Sequence, residues 1–407
     1  MGKPTKNQRG LGYSLLVGVL IGLSAALIFV AGFFFRDVIH LTFPTAFASG
    51  LSAEESYPLL DEVQMLLDQH YLREQPDLNK RQHAAIRGVM SILEDRYTFF
   101  VDPPVAQSES DALAGTYGGI GVQLSRSEAG QFVLFPFDDS PAAAAGIKEG
   151  AILIAVNGEE VDLTTQQDAV DQMLRGEVKE GNGVELTVTN PDEEELTVFI
   201  EFAVINVPSV TWRVLSENEA IGYVQIIRFT SRTPEELITG LTELNEANVS
   251  ALVVDLRNNS GGLLQESVDV TSQFVPANEV IVYEQSNKSE NALRASEGGL
   301  ATELPLVVLV NQGTASVSEL VAAAIQDHER GILIGQRTFG KGTVQQIFRL
   351  SDNSSVHITS AQWLTPNHRQ LESVGLEPDI TMIPDVNGRD VELGEAIRYL
   401  QEHYDLG

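Results

Sequence analysis

Two segments place a serine where an apolar strand gives way to a helix, an arrangement suited to nucleophilic catalysis. The first is Asn259–Gly262, which contains Ser260 and two glycines, and the second is Gly313–Glu319, which contains Ser316. Unpaired N–H groups at such a junction favour an oxyanion formed beside a nucleophile, and catalytic groups favour that end of the strands in α/β proteins. Each segment also has a structural interpretation. The glycines are suited to an ordinary turn, and Ser316-x-x-Glu319 is a capping-box pattern.

A serine nucleophile needs a base, and the histidines are badly placed for that role. The histidines upstream of Ser260 lie in or near the amino-terminal segments, at His40, His70 and His83. His328 follows Ser316 by 12 residues, which in one helix is about 18 Å and beyond hydrogen-bond reach. Spacing leaves His357 open as a base, although a histidine on a strand is more often structural. The pattern therefore disfavours a Ser-His enzyme.

A lysine offers a different base. Gly335–Gly342 carries Lys341 between two glycines and nearly matches a phosphate-binding P-loop, but Gly342 follows the lysine directly and Thr343 comes one position late. The segment is therefore not expected to bind nucleotide. A lysine in a dry pocket after an apolar strand can lose its proton near neutral pH and act as a base. A surface lysine in a glycine turn is the alternative.

A fourth segment, Tyr117–Val122, is a glycine-rich loop that enters a predicted strand. Successive backbone N–H groups in such a loop can hold the terminal carboxylate of a peptide that pairs with the strand edge. A glycine-rich hairpin is the alternative. The loop by itself is a weak indication of peptide binding.

The composition excludes several kinds of chemistry. The chain has 407 residues, with 26 Lys plus Arg against 57 Asp plus Glu, a formal net charge of −31 that argues against a nucleic-acid partner. Cysteine is absent, which excludes disulfides, thiolate nucleophiles and metal sites built on cysteine. We expect no metal and no cofactor.

The amino terminus predicts a membrane anchor. Gly10–Phe35 contains 26 residues without a charge, and a helix of that length exceeds a hydrocarbon core of about 30 Å. Three basic residues precede it and no acidic residue comes before Asp37, so the rest of the chain is expected on the outer side. A signal peptide cleaved after Ala46–Ala48 is the alternative, with export of a soluble form.

The remaining chain predicts three regions. Residues 54–100 have apolar positions at helical spacing, a β-rich module follows from about Gly115 and ends near the acidic turn at 191–195, and strands alternate with helices from about 220. The last region predicts helices and strands, in chain order, at 221–226, 233–248, 251–256, 263–275, 304–310, 316–328, 332–336, 343–349 and 355–363. This order is typical of an α/β fold whose sheet is covered by helices.

Taken in order, these segments resemble the C-terminal processing peptidases, also called tail-specific proteases, from about residue 54 to 385. Three segments resemble a PDZ domain of the protease-associated kind, Gly118–Gly121, Ser140–Gly150 and Val156–Gly158. Four more look like the signature blocks of the peptidase: Asp255–Gly262, Asn311–Glu319, Thr338–Gln345 and Gly375–Asp379. Two positions depart from the family pattern, Ala151 in place of Asp and Ser260 in place of Pro, and neither belongs to the catalytic pair.

The resemblance implies a serine peptidase with a Ser/Lys dyad. By motif position, Ser316 is the nucleophile, Lys341 is the general base 25 residues later, and Gln345, a helical-type step of four further on, orients the lysine amine. The implied oxyanion donors are the backbone N–H groups of Val317 and of Gly261 or Gly262. A neutral lysine amine can take the serine proton and return it to the leaving nitrogen.

The resemblance also implies an architecture. It comprises a Clp protease/crotonase-like catalytic core at 193–385 and a PDZ domain at 104–192. The rest of the predicted organisation is a helical amino-terminal region at 50–103, a helical tail at 386–407, and a cytoplasmic tip with a transmembrane anchor, or a signal peptide, at 1–36. The PDZ domain would bind substrate carboxyl termini through Gly118, Gly119, Ile120 and Gly121. Some relatives dimerise through the terminal helical regions, so a homodimer is expected here too.

These observations predict a membrane-anchored, outward-facing serine endopeptidase that hydrolyses bonds near the carboxyl terminus of proteins captured by its PDZ domain. The alternative is a catalytically silent PDZ adaptor that binds protein carboxyl termini. The joint presence of Ser316, Lys341 and Gln345 favours the enzyme.

Overall fold

The computed structural model describes residues 57–127, 129–386 and 388–406. The chain falls into two compact units, with the boundary after Leu78. The predicted anchor at Gly10–Phe35 and the cleavage site at Ala46–Ala48 lie outside the described residues. In the described part of the chain, no helix combines the length and the hydrophobicity of a membrane span.

Helices and strands follow one another through short connections. The helices of the described residues are α1 (Pro58–His70), α2 (Leu78–Ser91), α3 (Pro103–Leu113), α4 (Pro141–Ala144), α5 (Gln167–Met173), α6 (Thr233–Glu246), α7 (Leu264–Thr271), α8 (Val317–Asp327) and α9 (Val391–His403). The strands between residues 99 and 206 are β1 (Phe99–Val101), β2 (Thr116–Gly119), β3 (Val122–Arg126), β4 (Phe132–Pro136), β5 (Ala151–Val156), β6 (Glu159–Glu160), β7 (Gly183–Thr189), β8 (Glu195–Glu201) and β9 (Ala203–Asn206). The later strands are β10 (Val210–Leu215), β11 (Asn218–Ile226), β12 (Ala251–Asp255), β13 (Val280–Gln285), β14 (Glu290–Arg294), β15 (Leu306–Val310), β16 (Ile332–Gly335), β17 (Thr343–Arg349), β18 (Ser355–Leu364) and β19 (Ile380–Thr381).

The predicted helical region at 54–100 contains two helices, α1 in the first unit and α2, and then changes to strand. Aromatic and β-branched residues from Tyr97 to Val101 favour a pleated backbone over a helix. Strand β1 pairs antiparallel with β18, with Phe99 opposite His357. A turn closed by Asp95, which accepts a hydrogen bond from the Thr98 hydroxyl at 2.7 Å, leads into the strand.

The PDZ module is a sheet in the order β3-β4-β5-β7-β8, with β6 paired to β5. Alternate residues of its strands point inward, and α5 adds the fully buried Val170 to the same apolar core. The boundary predicted at 192 falls in the turn between β7 and β8, which pair along their whole length. The module therefore continues through β8, because the acidic Pro-Asp segment makes a hairpin turn within one sheet.

The catalytic core is a sheet covered by helices on both faces. Its strand order is β10-β11-β12-β15-β16-β19, parallel throughout except for β10. Neighbouring residues of β12 face opposite layers: Val254 packs with α6, α7 and α8, and Val253 packs with α9. The predicted α/β architecture is confirmed. Helix α9, which was predicted as a separate tail, packs on one face of this sheet and is part of the same domain.

A second sheet holds the segment after Lys341. It runs β1-β18-β13-β14, with β17 paired antiparallel to β18. The strands predicted at 343–349 and 355–363 correspond to β17 and β18. Strands β13 and β14 form a hairpin that the sequence analysis did not predict. This sheet brings β1, from the amino-terminal region, against the strands that carry the active-site loop.

Candidate active site

Ser316 is the residue at which the chain enters α8. Strand β15 ends at Val310, and Ser316 takes the N-cap position with φ 60° and ψ −127°. A positive φ is unfavourable for a residue with a side chain and costs about 1–3 kcal/mol. The next residue, Val317, begins the helix, and its N–H has no hydrogen-bond partner among the described residues. The serine therefore lies beside an unpaired donor at the positive end of a helix dipole.

Glu319 holds the serine and lysine segments together. Its side chain is 0% exposed. Oε2 accepts hydrogen bonds from the N–H groups of Ser316 and Lys341, both at 2.9 Å. The other oxygen accepts from the Gly340 N–H at 2.8 Å and from the Thr338 hydroxyl. Glu319, the acidic residue of the capping box, therefore also binds the loop that carries Lys341.

The serine hydroxyl is not the sole cap of the helix. The N–H of Glu319 donates to the backbone carbonyl of Ser316 at 2.8 Å. The structural interpretation of Ser316 as an N-cap and the catalytic interpretation are therefore compatible, because the backbone and the glutamate close the first turn.

Lys341 lies in a loop that requires its flanking glycines. A Cβ on Gly342 would be 2.3 Å from the N atom of Glu372, and Gly340 has a φ of +85°. The loop continues into β17 and not into a helix, so the P-loop interpretation fails on geometry as well as on spacing. Close packing of the loop against the segment around Glu372 encloses the lysine side chain.

The environment of Lys341 favours the neutral amine. Nζ donates to Oε1 of Gln345 and lies 5.0 Å from the centre of the Tyr97 ring. Burial lowers the pKa of the Lys341 amine below that of an exposed lysine; the carboxylate of Glu372 opposes this shift and the guanidinium of Arg96 reinforces it. A lysine with a lowered pKa is the type of group that can act as a base.

Gln345 is oriented from its other side. Its Nε2 donates to the backbone carbonyl of Tyr97 at 2.6 Å, which turns Oε1 toward Lys341. Gln345 lies on strand β17 beside an irregularity in the pairing with β18, so the helical-type step assumed from the sequence is wrong, although the contact with Lys341 is present. Tyr97 was missed by the sequence analysis. It is separated from Gln345 by 248 positions, and only the pairing of β1 with β18 brings it there.

The glycine pair lies beside the serine. A Cβ on Gly261 would be 2.9 Å from the Cβ of Ser316. The N–H of Gly261 already donates to Oδ1 of Asn259 at 2.9 Å, whereas that of Gly262 has no partner among the described residues. Of the two predicted donors, only Gly262 therefore has an N–H without a partner among the described residues.

Asn259 is the buried residue that ties this turn to the serine loop. Its Nδ2 donates to the carbonyl of Ile226 at 2.8 Å, and its own carbonyl accepts from the Ala315 N–H at 3.0 Å. The sequence analysis singled out the segment but not this side chain. Ser260, the other serine considered as a nucleophile, is exposed.

The two histidines considered as partners of Ser316 make contacts of their own. His328 lies 2.7 Å from the carbonyl of Val280, and His357 lies 3.1 Å from Glu109 and stacks on Phe99. In the part of the chain that the structure describes, no group of acidic residues and histidines is suited to a metal ion. The contacts that the structure shows join the backbones of Ser316 and Lys341 through Glu319, and the side chain of Lys341 to that of Gln345.

The PDZ module carries a groove between β3 and α5. Its cavity of 660 Å³ is lined by Val122 and Leu124 from the strand, Gln167 and Asp171 from the helix, and Phe137 among others. This is where an extended peptide could pair with the strand edge, as the sequence analysis predicts.

The four predicted carboxylate-binding residues are not equivalent. The carbonyl of Gly118 accepts from Gly176, and Ile120 donates to the Leu174 carbonyl at 3.3 Å, so both pair with the segment after α5. Gly119 lies in β2 with Gly118, paired to β9. Gly121 has a φ of +73° and lies at the turn into β3, where a Cβ would be 2.6 Å from Ser140. Its N–H has no partner among the described residues.

Comparison with known proteins agrees with this arrangement. The Peptidase family S41 pattern matches residues 220–382, and a PDZ domain pattern matches residues 138–180. A carboxy-terminal-processing protease of Bartonella bacilliformis is 35% identical over 332 residues, covering 79% of this chain and 75% of the relative. The chain belongs to peptidase family S41. It is a serine-type peptidase with a PDZ domain.

A second relative supports the assignment, and a solved structure shares the fold. A chloroplastic C-terminal processing peptidase of Tetradesmus obliquus is 31% identical, over 80% of this chain and 73% of that protein. A solved structure of a putative S41 protease from Bacteroides fragilis has 15% identity and a TM-score of 0.52, covering 84% of this chain and 98% of that one, a similarity that concerns the fold. Family membership favours the enzyme over the silent adaptor.

Proposed function

We propose that the peptidase is an endopeptidase in which Ser316 is the nucleophile and Lys341 is the general base, acting near the carboxyl termini of proteins held by the PDZ groove. The observation that carries the proposal is the shared Glu319 oxygen, which binds the backbones of Ser316 and Lys341 at 2.9 Å each. Two segments that the fold brings together from different elements are fixed there at the start of a helix.

The chemistry follows from the groups present. The neutral Lys341 amine takes the proton as the Ser316 oxygen attacks the peptide carbonyl carbon. The N–H groups of Val317 and Gly262 stabilise the oxyanion, and the protonated lysine then gives its proton to the leaving nitrogen. Water, activated by the same amine, hydrolyses the acyl-enzyme. Gln345 keeps the amine oriented through both steps by its contact with Nζ.

The test of the dyad is the cleavage of an unfolded protein with an apolar, unblocked tail. Ser316→Ala, Lys341→Ala and Lys341→Arg should each lower kcat by about 10³-fold or more, since a guanidinium cannot serve as a base near neutral pH. Ser260→Ala should keep most of the activity because Ser260 is exposed. Cleavage at the wild-type rate by the Ser316 or Lys341 variants would refute the dyad.

In this proposal the PDZ groove selects substrates by binding their carboxyl termini. A peptide paired with β3 would bring its terminal carboxylate to the N–H of Gly121. Phe137, which lines the groove and is 40% exposed, should contribute apolar contact with the peptide. Phe137→Ala should weaken binding of a free-acid peptide by about tenfold in fluorescence anisotropy. Phe199→Ala, a control at a residue that is 52% exposed and does not line the groove, should not.

We further propose that Gly10–Phe35 anchors the peptidase with its catalytic part on the outer side of the membrane. The uncharged length of this segment and the basic residues before it support the proposal. The full chain should remain with membranes after a carbonate wash, and an outside protease should digest it. Recovery of only a soluble form that begins near Ser49 would instead establish signal cleavage. The homodimer stays a prediction.

A further inference from the structure

A second and larger cavity lies between the PDZ module and the catalytic core. Its volume is 1130 Å³. The PDZ side contributes Thr116–Gly118 and Gly176–Val178, and the core side contributes Ile227, Arg228 and Thr230. Four residues line both this cavity and the peptide groove, namely Tyr117, Arg175, Val207 and Pro208. The two spaces therefore adjoin, and a chain that leaves the groove can enter the cavity.

The part of the catalytic core that lines the cavity is hydrogen-bonded to the turn that holds Gly261 and Gly262. Phe229 donates to the carbonyl of Gly261 at 3.1 Å and accepts from Leu263 at 2.9 Å, so its backbone spans the glycine pair. The Phe229 side chain is fully buried in the core. Arg228, one position earlier, lines the cavity. Its side chain is thus attached one residue from the turn that borders Ser316.

Three arginines line this cavity, and two of them have partners. Arg175 pairs with Asp171 at 2.8 Å, and Arg349 donates to Gln107 at 2.8 Å. For the guanidinium of Arg228, the described residues provide neither a carboxylate within ion-pair distance nor a hydrogen-bond acceptor, and its Nε is inaccessible to solvent. Arg228 is the exception among the three.

The acidic side chains that line the cavity bind other residues and not Arg228. Asp111 accepts a hydrogen bond from Gln107 at 2.7 Å, and Glu177 pairs with Lys179 at 3.0 Å. Acidic residues outnumber basic ones by 57 to 26 in this chain, so an arginine without an acidic partner is unexpected by composition. A partly buried guanidinium with an unpaired N–H is unfavourable until an anion reaches it.

We infer that Arg228 binds a carboxylate of the substrate on the carboxyl side of the scissile bond. The inference rests on the proposed function, because the direction of the chain follows from capture of its carboxyl terminus in the PDZ groove. The segment between the cut bond and the groove must then cross the cavity that Arg228 lines. The carboxylate could belong to an Asp or Glu side chain in that segment or to the terminus of a short substrate that does not reach the groove.

The experiment compares matched peptides with the full-length wild type and Arg228→Gln. One arm places Glu or Gln at each of the positions after the mapped cleavage site, and the second arm ends a short peptide in a free acid or an amide. Hydrogen bonds to charged groups discriminate strongly, so the wild type should prefer the carboxylate by about tenfold or more in kcat/KM. Arg228→Gln should lose that preference.

The two arms separate the sources of the carboxylate. Loss of the Glu preference alone assigns Arg228 to a side chain, and loss of the free-acid preference alone assigns it to the terminus. Arg294→Gln is the control, because Arg294 is exposed on β14 and lines neither cavity. It should retain every preference that the wild type shows. If the wild type shows neither preference, or if Arg228→Gln retains every preference of the wild type, the inference is overturned.

A binding measurement tests the role of Arg228 separately from the proposed Ser316/Lys341 dyad. With Ser316→Ala as the background, anisotropy of the same labelled peptides should show tighter binding of the carboxylate form, and the added Arg228→Gln should abolish the difference. Cleavage that survives in Ser316→Ala contradicts the proposed nucleophile, whereas a binding difference that does not depend on Arg228 contradicts only the inference about this residue.

Discussion

The backbone N–H groups of Ser316 and Lys341 donate to one atom, Oε2 of Glu319. Ser316 is the N-cap of α8 and Lys341 precedes strand β17, so a single buried carboxylate fixes two elements relative to each other. The bonds involve only the backbones of the two residues. These bonds therefore leave the Ser316 hydroxyl and the Lys341 amine free of the Glu319 carboxylate.

Glu319→Gln should disrupt this frame. Both carboxylate oxygens accept from backbone N–H groups, and an amide turns its own NH2 toward one set of them. We expect kcat to fall by about tenfold or more and the free energy of unfolding to fall by about 1–3 kcal/mol. Peptide affinity of the PDZ groove should not change. Glu246→Gln, on the exposed end of α6, is the control, and a wild-type kcat in Glu319→Gln would contradict this role.

The pH dependence of kcat should follow the Lys341 amine. The neutral amine is the active form, so activity rises with pH through its pKa, which burial lowers. Glu372 raises that pKa and Arg96 lowers it. Glu372→Gln should therefore move the rising limb to lower pH, and Arg96→Gln should move it to higher pH. Shifts of both profiles in the same direction would exclude this electrostatic account.

Gly261→Ala should impair the serine directly. The added Cβ would lie 2.9 Å from that of Ser316, at a φ of +101°. We expect kcat to fall by about tenfold or more because displacement of a reacting group by a fraction of an ångström is costly. Gly298→Ala is the matched control: its φ is +93° and nothing lies within 4 Å of the new atom. Equal losses of activity in both variants would show that backbone strain alone is responsible.

Asp390→Asn should weaken the attachment of α9. Arg257 donates to Asp390 at 2.7 and 2.8 Å and also to the buried Asp255. The hydrogen bonds from Arg257 lower the pKa of Asp390. The stabilisation is present above the unfolded pKa of about 3.9 and is lost as the pH falls through the lower folded value.

The measurement for this variant is thermal unfolding at pH 7 and in acid. Since the Asp390 side chain is 42% exposed, we expect a loss of only about 0.5–1 kcal/mol at pH 7. The difference from the wild type should disappear in acid, where Asp390 is protonated. Asp405→Asn, at an exposed position, is the control. A difference that is constant with pH would show that the charge of Asp390 is not involved.

The sequence by itself predicted most elements of the α/β core and proposed the reactive residues. Apolar runs of strand length separated by amphipathic segments predict the α/β core. The order of the motifs resembles that of the C-terminal processing peptidases, and this resemblance implies Ser316, Lys341 and Gln345 as a set. These features are local, since strand and helix periods and residue types at fixed spacing can be read along the chain. Two features were not predicted: the hairpin of β13 and β14, and the continuation of the PDZ sheet through β8. Turn residues inside a sheet resemble a domain boundary when only the sequence is considered.

Only the tertiary structure decided which groups surround those residues. Tyr97 reaches Gln345 through the pairing of β1 with β18, and Arg228 enters the cavity because Phe229 is anchored to the glycine turn. It also distinguished Gly262 from Gly261, since a hydrogen bond from Gly261 to Asn259 depends on how the turn is folded. Contacts between residues far apart in the chain arise from sheet pairing and burial, and no local pattern specifies them.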